Sequence, residues 1–290
     1  MSLKYMRQNL EDKYGLLEIQ DKILEIMVYV DSFCQKNRIE YCLMGGSALG
    51  SKRHGGFIPW DDDLDIFMTP DNYERFRALF KKNGDKDRFY LQEGLTDEMI
   101  TIAKVRMNGT SFIEDTVSDW DIHHGIYIDI FILHSCPDNT FLQLKQCFWA
   151  KYVITKGLAL REKNRHTGIR GLVIKTAKLF PERFLVKHGL KQVYKYRHMS
   201  TDYYCNFMGK AVFKQGIYKR KWFDNPVYAP FETVQLKVPG RLHDFLTERF
   251  GDYMKPPSSD RIKYEQHAES WDFNHQKIIT NEYNDEDKLI

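Results

Sequence analysis

Between Gly45 and Asp65 the chain reads GGSALGSKRHGGFIPWDDDLD, and this stretch holds the residues best suited to chemistry. A Gly45-Gly46-Ser47 turn follows an apolar run, and a carboxylate cluster ends in Asp63 and Asp65, one leucine apart. Glycine lets backbone N–H groups come close to a phosphate. On a strand alternate side chains share a face, so Asp63 and Asp65 point one way while Leu64, Ile66 and Met68 fall elsewhere. Like charges this close stay ionised only beside a compensating cation. Asp129 repeats the logic on a second apolar strand, between Ile128 and Ile130, where an acid without a partner would destabilise the fold. Three such acids converging make a site for one or two Mg²⁺ ions, with Mn²⁺ as a substitute. The chemistry would be metal-assisted phosphoryl or nucleotidyl transfer.

Two other motifs fail on their residues. A calcium-binding EF-hand loop starting at Asp61 would need glycine and glutamate where Ile66 and Asn72 stand. A phosphate-binding P-loop needs Lys-Ser or Lys-Thr directly after its last glycine, whereas the order here is Gly50-Ser51-Lys52.

The elements that must position these residues follow from periodicity. Leu16, Ile19, Ile23, Ile26, Met27, Val30 and Phe33 recur at helical spacing and predict a helix over 16–36, stopped near Asn37. A short buried strand is expected over 39–44, then a turn or two of helix from Ser47 to Lys52. Gly55, Gly56 and Pro59 make 53–60 a loop. A strand is expected from Asp63 to Thr69, followed by a helix from Pro70 carrying Tyr73, Phe76, Leu79 and Phe80. Further strands are expected over 89–92, 101–107 and 110–114, with Gly109 suggesting a hairpin between the last two. The strongest strand is 125–133. After Pro137 the pattern turns helical and basic to about Tyr218. Strands over 227–238, a helix over 241–250 and a polar, frayed tail from Thr280 complete the chain.

Of 290 residues, 42% are hydrophobic and 14% aromatic, as in a packed globular protein. The net charge of +3 conceals an uneven distribution. Residues 156–221 carry 17 Lys or Arg against three acids, a net of +14, which leaves −11 for the remainder. The five cysteines are widely spaced without a Cys-x-x-Cys pair, so buried reduced thiols are expected rather than a zinc knuckle. No run reaches the roughly 18 apolar residues that would span a bilayer, and the N-terminus lacks a signal-peptide core. The expected location is the cytoplasm, including the inner face of the cell membrane.

With these residues in view, the chain resembles the LicD family. That family includes bacterial phosphocholine transferases, is related to fukutin-type phosphosugar transferases and belongs to the nucleotidyltransferase superfamily. The resemblance rests on Arg53-His54-x-Gly56-Phe57-Ile58-Pro59-Trp60-Asp61-Asp62-Asp63-x-Asp65. Gly125-x-Tyr127-Ile128-Asp129-Ile130-Phe131 and the late Val238-Pro239, Phe250-Gly251-Asp252-Tyr253-Met254 and Pro257 extend it. The family's usual Gly-Thr-Leu-Leu-Gly-Ala is here Gly46-Ser47-Ala48-Leu49-Gly50-Ser51, which keeps the hydroxyl. The resemblance implies an α+β fold with a nucleotidyltransferase-like (polymerase-β-like) mixed sheet flanked by helices, plus a basic helical lobe. It implies a CDP-linked alcohol donor such as CDP-choline, with CMP as leaving group and a cell-surface glycan or its lipid-linked precursor as acceptor. It also implies that Asp63 and Asp65 bind Mg²⁺ at the donor phosphates. Asp129 would bind a second ion and help deprotonate the acceptor, and Gly45, Gly46 and Ser47 would contact phosphate.

Other residues have two readings each. Lys52, Arg53 and His54 either neutralise a phosphate or form a solvated loop. Lys104 and Arg106 either face the metal site or lie on an exposed sheet face. Trp60 either packs on a quaternary ammonium or anchors a loop. His123, His124, His267 and His275 either reach the site or hold structure. The expected organisation is a core over 1–137, a basic, mainly helical segment over 138–225, and strands and a helix over 226–290 packing back on the core. The basic segment suits an anionic acceptor or membrane surface, with nucleic acid ranked last. The alternatives are a nucleotidyltransferase that releases pyrophosphate and an inactive relative.

Overall fold

The computed structural model describes residues 11–94, 101–114, 118, 122–161, 182–258, 267–268 and 270–275. The expected tail beyond Thr280 and the middle of the basic segment, 162–181, lie outside them.

The long first helix, α1 (Leu17–Asn37), forms as its apolar spacing requires and buries Ile19, Ile23, Ile26, Met27 and Val30. It ends in a left-handed Arg38, whose N–H reaches back to the Cys34 and Gln35 carbonyls. Beneath it lies a five-stranded mixed sheet in the order β1-β2-β6-β4-β3. Its strands are β1 (Cys42–Leu43), β2 (Asp65–Met68), β3 (Phe89–Gln92), β4 (Ala103–Met107) and β6 (Tyr127–Ile132). Only the central β2–β6 pair is parallel. Two further helices, α2 (Gly45–His54) and α3 (Pro70–Asn83), flank β2 in sequence. The α3 start is set by Pro70 and by the Thr69 hydroxyl, which accepts the Asn72 N–H. The result is a mixed sheet flanked by helices.

Several expectations change in detail. The glycine pair is not a turn ahead of a helix: it is the helix's own first turn, with Gly45 at φ 50°, and α2 runs on through Arg53 and His54. Asp63 precedes β2 rather than belonging to it, so it shares no strand face with Asp65. The Gly109 turn exists, at φ 76°, but makes no hairpin. Beyond it, β5 (Ser111–Ile113) pairs with β12 (Ser270–Asp272), while β4 pairs with β3 and β6.

The basic segment is also not helical throughout. Helices α4 (Thr140–Arg161) and α5 (Glu182–Val193) pack on a three-stranded sheet of β7 (His134–Cys136), β8 (Tyr203–Cys205) and β9 (Ile217–Lys219). They share a second apolar core of Cys136, Ala150, Val153, Leu190, Cys205 and Phe207. All five cysteines are buried free thiols. No helix among the described residues is long and apolar enough to cross a membrane.

Late in the chain, the hairpin of β10 (Val227–Phe231) and β11 (Val234–Val238) precedes α6 (Leu242–Phe250). The hairpin locks the loop after α2. Glu232 caps the Phe57 N–H at 2.9 Å, its own N–H donates to the Gly55 carbonyl at 2.7 Å, and Ser51 donates to the Pro230 carbonyl at 3.0 Å. Gly50 sits so tightly under this loop that a Cβ would strike the Gly56 carbonyl oxygen. Gly50→Ala is therefore expected to reduce unfolding stability by about 1–3 kcal/mol, read as a lower urea midpoint. An unchanged midpoint would mean that the loop yields.

Candidate functional site

The central register aligns the chemistry. Asp65 on β2 stands directly beside Asp129 on β6, Asp129 beside Lys104 on β4, and Lys104 beside Gln92 on β3. Partners in register project to the same side of a sheet, so one row carries acid, acid, cation and amide. Lys104 is buried, not on an exposed face. Its Nζ lies 3.0 Å from Asp129 Oδ1, 3.8 Å from Glu114 Oε2 and 3.3 Å from the Tyr127 ring centre. Arg106, two residues on, is equally buried. It donates to Gln92 Oε1 at 2.6 Å and to the Gly125 carbonyl at 2.9 Å, and so braces the row from behind.

The start of α2 is stitched to this row. The Asp65 N–H donates to Ser47 Oγ at 2.8 Å, and the Met44 N–H donates to the Asp65 carbonyl at 3.0 Å. A Cβ on Gly45 would stand 3.8 Å from Asp65 Oδ2, and one on Gly46 only 2.8 Å from Asp61 Oδ2. Gly46 thus has the Asp61 carboxylate pressed against it, whereas Gly45 is required by its left-handed φ of 50°. The N-cap Met44 supplies no side-chain cap, and a helix N-terminus favours negative charge.

Two residues arrive from far along the chain. His267 Nδ1 lies 3.0 Å from Asp62 Oδ1 and 3.5 Å from Asp63 Oδ2. The buried Asp62 carboxylate also accepts the His267 and Ala268 backbone N–H groups, so Asp62 holds this segment down beside Asp63. The bond to Asp62 and the charge of Asp63 raise the His267 pKa against the effect of burial. Lys210, an exposed residue of the β8–β9 connection, is close enough to lower the pKa values of Asp63 and Asp65. Its loop is pinned by Lys151 of α4, which donates to the Gly209 and Ala211 carbonyls at 2.8 Å each.

Burial pushes the Asp63 pKa up to about 6, with Asp129 and Asp62 adding to the rise. Burial and then Asp63 and Asp129 raise Asp65 well above the carboxylate range. Asp129 is raised by burial and by Glu114, while Lys104 opposes the rise. Asp65 Oδ1 is buried without a hydrogen-bond partner. Among the described residues no three acid, imidazole or thiol groups already close into a ligand cage, and Lys104 is ion-paired with Asp129. The donors are nonetheless all hard carboxylate oxygens, one lacks a partner, and all three repel one another. This set fits a divalent cation such as Mg²⁺.

The other predicted residues gather elsewhere. Arg53 and His54 lie about 9–10 Å along α2 from Ser47. There Arg53 donates to His54 Nε2 at 2.9 Å and to the Tyr253 carbonyl at 3.0 Å. Trp60 is buried against the rings of His54 and Tyr14. Burial and Arg53 lower the His54 pKa to about 4. His123 is structural: it accepts the Gly125 N–H through Nδ1, contacts Asn108 Oδ1 at 2.9 Å and stacks on Tyr90. His275 is exposed beside Asp272. Glu114 and Lys210 were not singled out in sequence: a strand-end acid and one lysine among many carry no local signal.

The comparisons agree with the residues. Residues 38–131 match the family LicD/FKTN/FKRP, nucleotidyltransferase domain. Over 272 residues the chain is 28% identical to the lipopolysaccharide cholinephosphotransferase LicD of Haemophilus influenzae, covering 86% of this chain and 95% of that protein. An uncharacterized protein of Rickettsia typhi is 35% identical over 65 residues, 21% of either chain. One of Rickettsia prowazekii is 24% identical over 182 residues, 63% of this chain and 48% of that protein.

The pKa of Asp63 gives a signed test. Its folded value near 6 exceeds the ordinary 3.8, so the folded state keeps a proton that the unfolded chain has released. That contribution to stability is complete below about pH 4 and is lost as pH rises through about 6. In chelator, Asp63→Asn should therefore raise the melting temperature above about pH 6 and flatten its fall between these limits. A variant that melts below the parent at about pH 8 would contradict the repulsion.

Proposed function

We propose that this chain, which matches the LicD family over residues 38–131 and resembles a LicD protein over most of its length, transfers phosphocholine, or a similar phospho-alcohol, from a CDP-linked donor to a cell-surface glycan or its lipid-linked precursor. The observation that carries this reading is the buried row Asp65–Asp129–Lys104, set against the glycine-rich start of α2. It occurs in a chain similar over most of its length to a lipopolysaccharide cholinephosphotransferase.

In this reading the core is of the nucleotidyltransferase type. An acceptor hydroxyl forms a new P–O bond at the choline-bearing phosphorus, the bond to the second phosphate breaks, and CMP leaves with its electron pair. Asp129, flanked by Lys104, receives the hydroxyl proton. Asp63, Asp65 and Asp129 would hold Mg²⁺, which when bound neutralises the donor phosphates and the charge that develops on the leaving group. The first-turn N–H groups at Gly45, Gly46 and Ser47 orient the donor phosphates. Lys210 supplies a further cation near Asp63 and Asp65. His267, held by Asp62, fixes the Asp63 carboxylate.

The test pairs a thermal-shift screen with detection of released CMP. A Mg²⁺-dependent rise in melting temperature with CDP-choline, CDP-glycerol or CDP-ribitol, and CMP formed in the presence of acceptor, is the expected result. A shift confined to CTP or ATP, with pyrophosphate released, would replace this reading with nucleotidyl transfer.

Asp129→Asn should lower turnover by about a thousandfold with the fold intact by circular dichroism. Lys210→Ala should raise the KM for donor by about tenfold and leave kcat much less affected. Near-normal constants in either variant would remove that residue from the mechanism.

A further inference from the structure

Helix α4 buries Gln143, Gln146, Cys147, Ala150 and Val153 against the second core. Its opposite face is expected to be polar, as on any helix of a water-exposed surface. It is not. Phe141, Leu144, Lys145 and Phe148 occupy this outward stripe at helical spacing. Phe141 is 73% exposed, Leu144 49% and Phe148 62%. Two fully presented phenylalanines and a leucine on adjacent turns form an apolar patch that calls for a covering surface.

The surroundings of the patch identify the cover. The neighbouring α5 exposes Lys187 and Lys191 and continues the line with Lys195, at successive turns. A run of rings joins the two helices: Phe148 lies 5.4 Å from Trp149, and Trp149 lies 4.7 Å from His188, the residue after Lys187. Apolar anchors edged by lysines are the two components that hold a helix in the plane of an anionic bilayer. Lysine stems also reach across apolar surface while their charges stay among headgroups. A second copy of this chain is a poorer occupant. A two-fold contact lays the patch on itself, so it would set lysine against lysine. A polynucleotide would satisfy the lysines but leave the phenylalanines in water.

We propose that α4 and α5 form a docking surface for an anionic phospholipid bilayer, with Phe141, Leu144 and Phe148 inserted at the interface and Lys145, Lys187, Lys191 and Lys195 on the headgroups. No helix among the described residues is long and apolar enough to span, so the contact lies on the membrane rather than through it. The surface is independent of the donor chemistry, and its test needs neither donor nor acceptor.

Full-length protein is sedimented with vesicles of phosphatidylcholine alone and of an equal mixture with phosphatidylglycerol, at low and high salt. Binding to the mixed vesicles, weak on phosphatidylcholine and weakened by salt, is expected. Phe141→Ser with Phe148→Ser should reduce it by about tenfold, since both side chains are mostly exposed and are the proposed anchors. Lys187→Glu with Lys191→Glu should abolish the preference for the anionic lipid. The melting temperatures of both double variants should match the parent. Failure of the parent to sediment, or equal sedimentation of the phenylalanine variant, would overturn the proposal. So would a dimer, seen by light scattering, that the same phenylalanine changes dissociate.

Discussion

The mutual repulsion of Asp63, Asp65 and Asp129 is the constraint to which most of this structure answers. Three carboxylates brought out of bulk water raise one another's pKa, and an unfolded chain would relieve the strain at once. The fold supplies partial answers from every side. Lys104 sits on Asp129, the α2 start faces Asp65, His267 leans on Asp63, and Lys210 adds positive potential. None of these fully balances the cluster, and in the proposed function a divalent cation would offset the residual negative charge.

The parallel β2–β6 pair is the geometric device behind this. A one-residue slip in either strand would send an acid into the apolar face shared by Ile66, Ile128 and Ile130. The bracing below the row reflects how costly such a slip would be. Arg106 is buried between Gln92 and the Gly125 carbonyl, and a buried guanidinium is tolerated only with its donors engaged.

Much of this was legible in sequence because it is periodic. The alternation around Asp129 and the helical spacing over 16–36 each report a single buried face. The Gly-Gly-Ser stretch was legible in its role but not in its form, since glycines at a helix start and glycines in a turn look alike until a carboxylate is found pressing on them. The hairpin around Gly109 was misread for a physical reason. The turn itself is local, but strand pairing is a competition, and the strand at Tyr127–Ile132 offers β4 a more apolar neighbour than β5 does. His267 was visible only as a histidine near a tryptophan. Its contact with Asp62 spans 205 positions, and no local pattern encodes it. Lys210 was hidden in the opposite way, as one of 17 basic residues with nothing to mark it apart.

Lys151 ties two of these features into one body. It projects from the flank of α4, about one turn beyond Phe148, to clasp the backbone on either side of Lys210, while Phe141 and Phe148 are exposed on the same helix. On the proposed docking, the helix would act as a strut that holds the carboxylate site at one height above the lipid plane. An enzyme docked in that way would measure its acceptor. A hydroxyl at the matching distance from a lipid carrier's anchor would come within reach, and one held nearer or farther would not.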